Sequence, residues 1–389
     1  MTGTGRARRR IAVVTVARSD YGIYRPLLRA IAADPELELA LIVGAAHLTR
    51  TFGETLGEIE ADGLAPVARV DCTLAGDSPG SVARSMALAT LGFAAAYESL
   101  RPHLLVVLGD RYEMHAAAVA AVPFLLPTAH IAGGAVTRGA FDDGLRHSIS
   151  KLSHLHFPET SQQGERLARL GEEPWRIHVS GSLSIDNLKA IRPLSLAELN
   201  SRFGLALTVR PLLVTFHPVT REYRSTAQYA DDLMAALADQ ALPILFTYPN
   251  ADTAGTQIIE RIERFVRANP ERAVAVPNLG TEGYFGAMAN AAAMVGNSSS
   301  GIIEAASFAL PVVNIGRRQE GRPAPRNVIT CGHAAREIRD AIARALDPRF
   351  RAGLAGLVNP YGDGNAAPRI HAVLRTVPLD ERLINKAAF

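Results

Sequence analysis

Short runs of apolar, β-branched residues alternate along this chain with longer helical stretches. In the first half, Arg10–Val16 reads as a buried strand, Tyr24–Ala33 as a helix and Leu37–Val43 as a second strand. Ser81–Leu100 predicts a long alanine-rich helix and Leu104–Gly109 a continuous apolar strand. Tyr112–Val122 then predicts a helix and Pro127–Ile131 another strand. Strands that lack polar alternation are buried on both faces. Separated by helices of this length, they imply a parallel sheet covered on both sides.

The alternation restarts after the Pro- and Leu-rich stretch 191–205. Pro211–Phe216, Pro243–Tyr248, Ala273–Val276, Ala293–Val295 and Pro311–Ile315 predict strands. Thr226–Leu237, Thr256–Ala268, Gly283–Ala291 and Ser300–Phe308 predict the helices between them. The reading is an α/β protein of two doubly wound, Rossmann-like domains facing across a cleft. The first covers 1–190 and the second 191–365. A terminal segment, 366–389, carries a helix over Ala367–Arg375 that crosses back onto the first domain. A length of 389 residues fits two cores better than one.

Composition narrows the class. Hydrophobic residues make up 48% of the chain and charged residues 20%, as in globular proteins. No apolar run reaches a membrane span. Arg6, Arg8, Arg9 and Arg10 precede no signal-peptide core, so a cytoplasmic protein is expected. Cys72 and Cys331 are too few for a disulfide framework. The net charge of +3 is carried by scattered arginines, with Lys151, Lys189 and Lys386 the only lysines, and nucleic acid is not an expected partner.

In doubly wound sheets ligands bind beyond the carboxyl ends of the strands. Every notable polar cluster here is predicted on such a loop: Ala17-Arg18-Ser19-Asp20-Tyr21-Gly22, Asp110-Arg111, Gly133-Gly134 leading to Asp142-Asp143, His217-Pro218-Val219-Thr220, Pro249-Asn250-Ala251-Asp252, Gly296 to Gly301, and Gly316-Arg317-Arg318-Gln319. Ser298, Ser299 and Ser300 follow a strand and open a helix that runs through Glu304. Free N–H groups, hydroxyls and the helix dipole there suit an anion. Glu304, one turn in, could accept from two ribose hydroxyls. The plainer reading is a serine N-cap. Arg18, Arg111 and Arg318 favour phosphate, which arginine contacts in bidentate fashion. No Gly-x-Gly-x-x-Gly follows the first strand and no Walker A exists, so neither a dinucleotide nor ATP is expected. His147, His154 and His156 lack metal-ligand spacing, and no metal or cofactor is expected. His154 and His156 read as hydrogen-bonded framework histidines.

The stretch His130-Ile131-Ala132-Gly133-Gly134-Ala135, followed by Asp142-Asp143-Gly144-Leu145-Arg146-His147-Ser148-Ile149-Ser150-Lys151, resembles the central motif of the UDP-N-acetylglucosamine 2-epimerases, most closely their hydrolysing type. The likeness runs from Arg18-Ser19-Asp20-Tyr21-Gly22 to Tyr361-Gly362-Asp363-Gly364-Asn365 and Ala366-Ala367-Pro368-Arg369-Ile370. It implies a GT-B-like fold, a UDP-sugar substrate and a homodimer or homotetramer. By position, Asp110, Asp142, Asp143 and His217 resemble the catalytic group. Arg18, Arg111, His147, Asn250, Asp252, Ser298, Ser299, Glu304 and Arg318 resemble the substrate-binding residues.

The implied chemistry has a physical logic. C2–H of a sugar is not acidic, because no carbonyl stands beside it. Breaking the C1–O bond to UDP first makes an oxocarbenium ion that acidifies C2–H. A carboxylate then removes the proton to give 2-acetamidoglucal, and addition from the other face sets the manno configuration. Water yields free ManNAc; returning UDP yields UDP-ManNAc. Where the family carries His or Glu and then Glu, this chain has Ala132 and Ala135, which leaves the choice between these products open. A glycosyltransferase of the same fold, or a binding protein that kept the nucleotide cradle, is the alternative. The first has no need of Asp142-Asp143, and the second no need of all four catalytic candidates.

Overall fold

Among the described residues, twelve strands form two six-stranded sheets, and every pairing is parallel. The structure, a computed structural model, describes residues 8–49, 56–74, 78–136, 142–249 and 255–387, without the side chains of Arg18, Pro79, Thr220 and Arg221. The first sheet comprises β1 (Arg9–Thr15), β2 (Leu37–Gly44), β3 (Ala68–Val70), β4 (Leu104–Leu108), β5 (Thr128–Ile131) and β6 (Leu155–Phe157), in the order β3-β2-β1-β4-β5-β6. The second comprises β7 (Leu212–Thr215), β8 (Ile244–Thr247), β9 (Ala273–Val276), β10 (Ala293–Gly296), β11 (Val312–Ile315) and β12 (Val328–Cys331), in the order β12-β11-β10-β7-β8-β9. Counted from its own first strand, each sheet has the doubly wound order, and the direction of winding reverses between β1 and β4 and between β7 and β10.

Packing explains why these runs become strands. All five residues of β4 are buried. In the second sheet, side chains alternate between two cores. Leu212 and Val214 of β7 join Ala293 and Val295 of β10 on one face, with the helices Thr226–Ala238, Gly255–Ala268 and Ala335–Leu346. Leu213, Leu245 and Met294 point to the other face, where Leu199 and Phe285 lie. Each such buried Leu, Ile or Val contributes roughly 1.5–3 kcal/mol.

The chain divides into two compact units, residues 1–135, 141–187 and 362–389 forming one, and 136–140 with 188–361 the other. The helix Ala366–Thr376 belongs to the first unit. Its amino end is capped by the Asp186 carboxylate, which accepts from the N–H groups of Ala366 and Ala367 at 2.9 and 2.7 Å. Its Ile370 and Leu374 enter the same core as Leu27 and Ile31 of the helix Arg18–Ala33.

Several local expectations need correction. The stretch from Arg18 to Gly22 is not a loop but the first turn of the helix Arg18–Ala33. The Asp20 carboxylate accepts from the N–H groups of Val16 and Ala17, both at 2.8 Å, and so satisfies donors at that helix start. Asp142 and Asp143 likewise sit in the first turn of the helix Asp142–Leu152 rather than in a loop, where carboxylates complement the helix dipole. The helix predicted over Ser300–Phe308 is broken. Ser300–Ile303 forms one α-helical turn and Ala305–Phe308 a 3-10 turn. Asn359 Nδ2 takes the Ile303 carbonyl at 2.8 Å, and the Ser307 N–H turns back to Glu304 O at 2.9 Å. Edge strands β3 and β12, and the helix Leu56–Ala61, were not predicted from the pattern.

Candidate active site

In the first unit, the candidate residues gather at the carboxyl ends of β4 and β5. Strand β4 runs into Gly109, whose φ of +73° lets the chain turn sharply to Asp110 and Arg111. The Asp110 carboxylate pairs with the guanidinium of Arg146, whose side chain is buried. Arg146 also lies 3.6 Å from Asp143, and Asp143 lies 3.8 Å from His147 Nε2. Asp110, Asp143, Arg146 and His147 thus form one polar cluster, in which Asp143, Arg146 and His147 are spaced three and four residues apart along one helix face. Asp142 shares the first turn of that helix. His147 Nδ1 is buried and has no hydrogen-bond partner among the described residues. Burial, the largest influence, lowers the pKa of this imidazole.

His130, on β5, organises the cluster from below. Its Nε2 donates to the Gly109 carbonyl at 2.8 Å, which makes Nδ1 the acceptor of the neutral ring, and Ser150 Oγ lies 3.0 Å from it. Burial pushes His130 down to about 3, so it stays neutral. The Gly-Gly turn follows. Ala132 holds a left-handed φ of +61°, and Gly134 has φ +73°, where an added Cβ would fall 2.5 Å from the Gln163 carbonyl. Arg166 donates to the Gly134 carbonyl. Ala132 and Ala135 therefore present only methyl groups from a tightly fixed turn.

Arg111 is engaged within the protein. Its Nε and Nη2 donate to the Glu113 carboxylate at 3.2 and 2.9 Å. Asp20 feels its charge, but burial dominates and raises the Asp20 pKa to about 6. Arg18 opens the helix Arg18–Ala33, and its side chain lies outside the description. His154 and His156 are framework groups, as the sequence implies. The Thr128 N–H donates to His154 Nδ1 at 3.1 Å, and His156 Nε2 meets the Glu172 carboxylate at 2.8 Å.

In the second unit, the candidates gather where β7, β10 and β11 end. His217 follows β7, and the side chain of Asn297, just after β10, binds its backbone N–H and carbonyl at 2.7 and 2.8 Å. Gly296 makes this approach possible, because a Cβ there would lie 1.9 Å from the Thr215 carbonyl. Arg318 and Gln319, after β11, both donate to the Asn297 carbonyl, at 3.1 and 2.9 Å. Burial and then the Arg318 charge drive His217 down to about 3. It is a neutral imidazole at physiological pH.

Ser298, Ser299 and Glu304 frame the other side of this cluster. The Tyr284 hydroxyl stands 3.0 Å from Thr215 Oγ1, which is 2.6 Å from Thr247 Oγ1. Its titration also feels Ser298, Ser300 and Glu304. Burial above all pushes this phenol up to about 12. Ser298 and Glu304 are each 9% exposed. The one-turn helix Ser300–Ile303 corrects the expectation of a helix-dipole anion site, since so short a helix has little macrodipole. The donors grouped at this place are the serine hydroxyls and the Arg318 guanidinium, which reaches the Asn297 carbonyl. Asn250 and Asp252 lie outside the described residues. Sequence reasoning named His130, Asn297 and Gln319 only as members of their motifs, with no role, and missed Tyr284; all four act through contacts between distant segments. Among the described residues, no group of three His, Cys, Asp or Glu side chains could hold a metal ion, and no helix is long and apolar enough to cross a membrane.

Two doubly wound units, each with a polar cluster beyond the carboxyl ends of its strands, define the class of α/β proteins that bind ligands at those strand ends. Residues 29–375 match the UDP-N-acetylglucosamine 2-epimerase family. A Legionella pneumophila protein named UDP-N,N'-diacetylbacillosamine 2-epimerase (hydrolyzing) is 36% identical over 380 residues, covering 97% of this chain and 98% of its own length. A Campylobacter jejuni protein named GDP/UDP-N,N'-diacetylbacillosamine 2-epimerase (hydrolyzing) is 37% identical over 324 residues, covering 83% of this chain and 84% of its own length. The crystal structure of UDP-GlcNAc 2-epimerase from Neisseria meningitidis bound to UDP-GlcNAc has the same fold, with a TM-score of 0.79 at 16% identity, covering 94% of this chain and 99% of that one. The chain belongs to the UDP-N-acetylglucosamine 2-epimerase family.

Proposed function

We propose that this enzyme eliminates UDP from a UDP-linked 2-acetamido sugar and completes addition on the opposite face, inverting C2. In the first half-reaction the C1–O bond breaks and its electron pair leaves with UDP. A carboxylate among Asp110, Asp142 and Asp143 takes the C2 proton, leaving the 2-acetamidoglucal. His217, a neutral imidazole, offers the leaving diphosphate a hydrogen bond. Arg18, Arg111, Arg318, Ser298 and Ser299 stabilise its developing charge, Glu304 accepts from the ribose, and Asn250 and Asp252 complete the nucleotide contacts. His147 Nδ1 serves the sugar. In the second half-reaction water, or returning UDP, adds across C1=C2.

The observation that carries this reading is the Asp110–Arg146–Asp143 cluster at the carboxyl end of β4. A carboxylate held against a buried guanidinium is fixed in orientation, as a general base must be. The names of the Legionella and Campylobacter relatives favour a second substrate, a UDP-linked 2,4-diacetamido sugar. Methyl groups at Ala132 and Ala135 suit a sugar with fewer hydroxyls than GlcNAc.

The test is incubation with each UDP-sugar in D₂O, followed by proton and phosphorus NMR. Deuterium at C2 of the product together with released UDP, or with UDP-sugar of manno configuration, is the expected result. Absence of C2 exchange with both substrates overturns the reading.

A further inference from the structure

Two of the chain's three lysines converge on one buried carboxylate. Glu172 has a fully buried side chain, and Lys151 Nζ, Lys386 Nζ and His156 Nε2 stand 2.8, 2.6 and 2.8 Å from it. Lys386 does more than balance this charge. Its ammonium donates to the carbonyls of Lys151 and Ser153 at 3.0 and 2.8 Å and reaches that of Ser150 at 3.5 Å. These carbonyls lie in the last turn of the helix Asp142–Leu152 and just beyond it, where a cation complements the dipole.

That helix carries Asp142, Asp143, Arg146 and His147. Its Ser150 hydroxyl contacts His130, which bonds the Gly109 carbonyl directly before Asp110. Both members of the Asp110–Arg146 pair are therefore tied to the helix that Lys386 pins, Arg146 through the helix itself and Asp110 through Ser150 and His130. The terminal segment holding Lys386 is docked by a separate device. The guanidinium of Arg176, wholly buried, donates to the carbonyls of Leu383, Arg382 and Asn385 at 2.7, 2.8 and 3.1 Å. The guanidiniums of Arg176 and Arg382 lie 4.2 and 4.6 Å from the centre of the Trp175 ring.

We propose that Lys386 is a positioning residue for catalysis: the terminal segment clamps the far end of the helix Asp142–Leu152 and so fixes the geometry of Asp110, Asp143 and Arg146. This rests on the functional reading above. Because Arg176 docks the segment independently, removing the ammonium leaves the segment in place and loosens only the helix end. Small misplacements of reacting groups cost rate more than binding.

The experiment compares Lys386→Met, Lys386→Arg and a destabilised control, Leu374→Ala, whose side chain lies in the core of the same unit. UDP-sugar turnover, KM, UDP affinity and Tm are measured for each. Lys386→Met is expected to lower kcat about tenfold or more, with KM and UDP Kd within about twofold of wild type. Lys386→Arg should regain most of the loss, and Leu374→Ala should keep kcat despite a lower Tm. Unchanged kcat in Lys386→Met overturns the proposal. So does a loss that Lys386→Arg does not repair, or one that Leu374→Ala matches. A wild-type enzyme inert toward both UDP-sugars overturns the functional reading itself and the clamp's role with it, a result distinct from an active wild type with an unimpaired Lys386→Met.

Discussion

The side-chain amide of Asn297 closes on both backbone polar groups of His217, accepting from its N–H at 2.7 Å and donating to its carbonyl at 2.8 Å. This bridge spans the winding reversal of the second sheet, joining the loop after β10 to the loop after β7. Asn297 is wholly buried, so its removal strands two backbone groups away from water. At roughly 1–3 kcal/mol for each unsatisfied group, Asn297→Ala should lose about 2–6 kcal/mol of unfolding free energy in urea. A loss under about 0.5 kcal/mol would show that the bridge is dispensable.

UDP should raise the Tm of the wild-type protein by ligand linkage. Glu304→Ala should weaken UDP binding more than Asp142→Ala does, because Glu304 is assigned to the ribose and Asp142 to the sugar. Tyr284→Phe should weaken UDP as well, since its hydroxyl holds Thr215 Oγ1 at the end of β7 and lies close enough to Ser298 and Ser300 to feel them. Equal UDP affinity in wild type and Glu304→Ala by calorimetry removes Glu304 from the nucleotide site.

Asp110→Asn keeps the shape of the side chain and discards its charge. Turnover should fall by at least about 10²-fold, while UDP binding stays within about tenfold, roughly 1.4 kcal/mol. Arg146 then keeps Asp143 at 3.6 Å as a charge partner, so the variant should fold. Normal turnover in Asp110→Asn makes the Asp110–Arg146 pair structural.

Much of this architecture is legible in the sequence because burial on both faces leaves a plain mark. The run Leu104 to Leu108 has no polar member, and the structure buries all of it. Strand β3 hides because it has three residues and one is Arg69. Strand β12 is an edge strand whose Thr330 is exposed. The break at Glu304 depends on Asn359, fifty-five residues away in the chain, which no local pattern could foretell. The polar loops announce themselves, but their wiring does not. Asp20 reads as a loop carboxylate and is a helix cap. Arg111 reads as a phosphate ligand, and in this structure it grips Glu113. His130, Asn297 and Lys386 carry ordinary local sequence signals and acquire their roles only when distant segments meet.

The His217 imidazole supplies a pH test. Its folded pKa is near 3, held down by burial and by Arg318, against about 6.5 in an unfolded chain. Between these values the unfolded state binds more protons, so stability rises with pH. The contribution is complete above about pH 6.5 and is lost as pH falls through about 3. Urea unfolding at a series of pH values should therefore show wild type losing stability more steeply on acidification than His217→Gln. Parallel profiles would mean that His217 titrates normally in the folded protein.

The Gly-Gly turn should decide what is made. Ala132 sits at φ +61° and Ala135 is 7% exposed, so the turn is rigid and carries no acid or base. With less capacity to activate water, UDP that stays bound after elimination competes for the glucal, and part of the product keeps its nucleotide. Ala132 already bears the cost of a left-handed backbone, roughly 1–2 kcal/mol for a non-glycine residue, so Ala132→Glu adds no new strain there. Ala135→Glu places a carboxylate in a mostly buried position, where it needs a partner. Either carboxylate should raise the ratio of free sugar to UDP-sugar, read by phosphorus and proton NMR on the same reaction. If wild type already gives only free sugar, and neither variant changes the product ratio or the rate, then water delivery does not depend on these two positions and the idea fails.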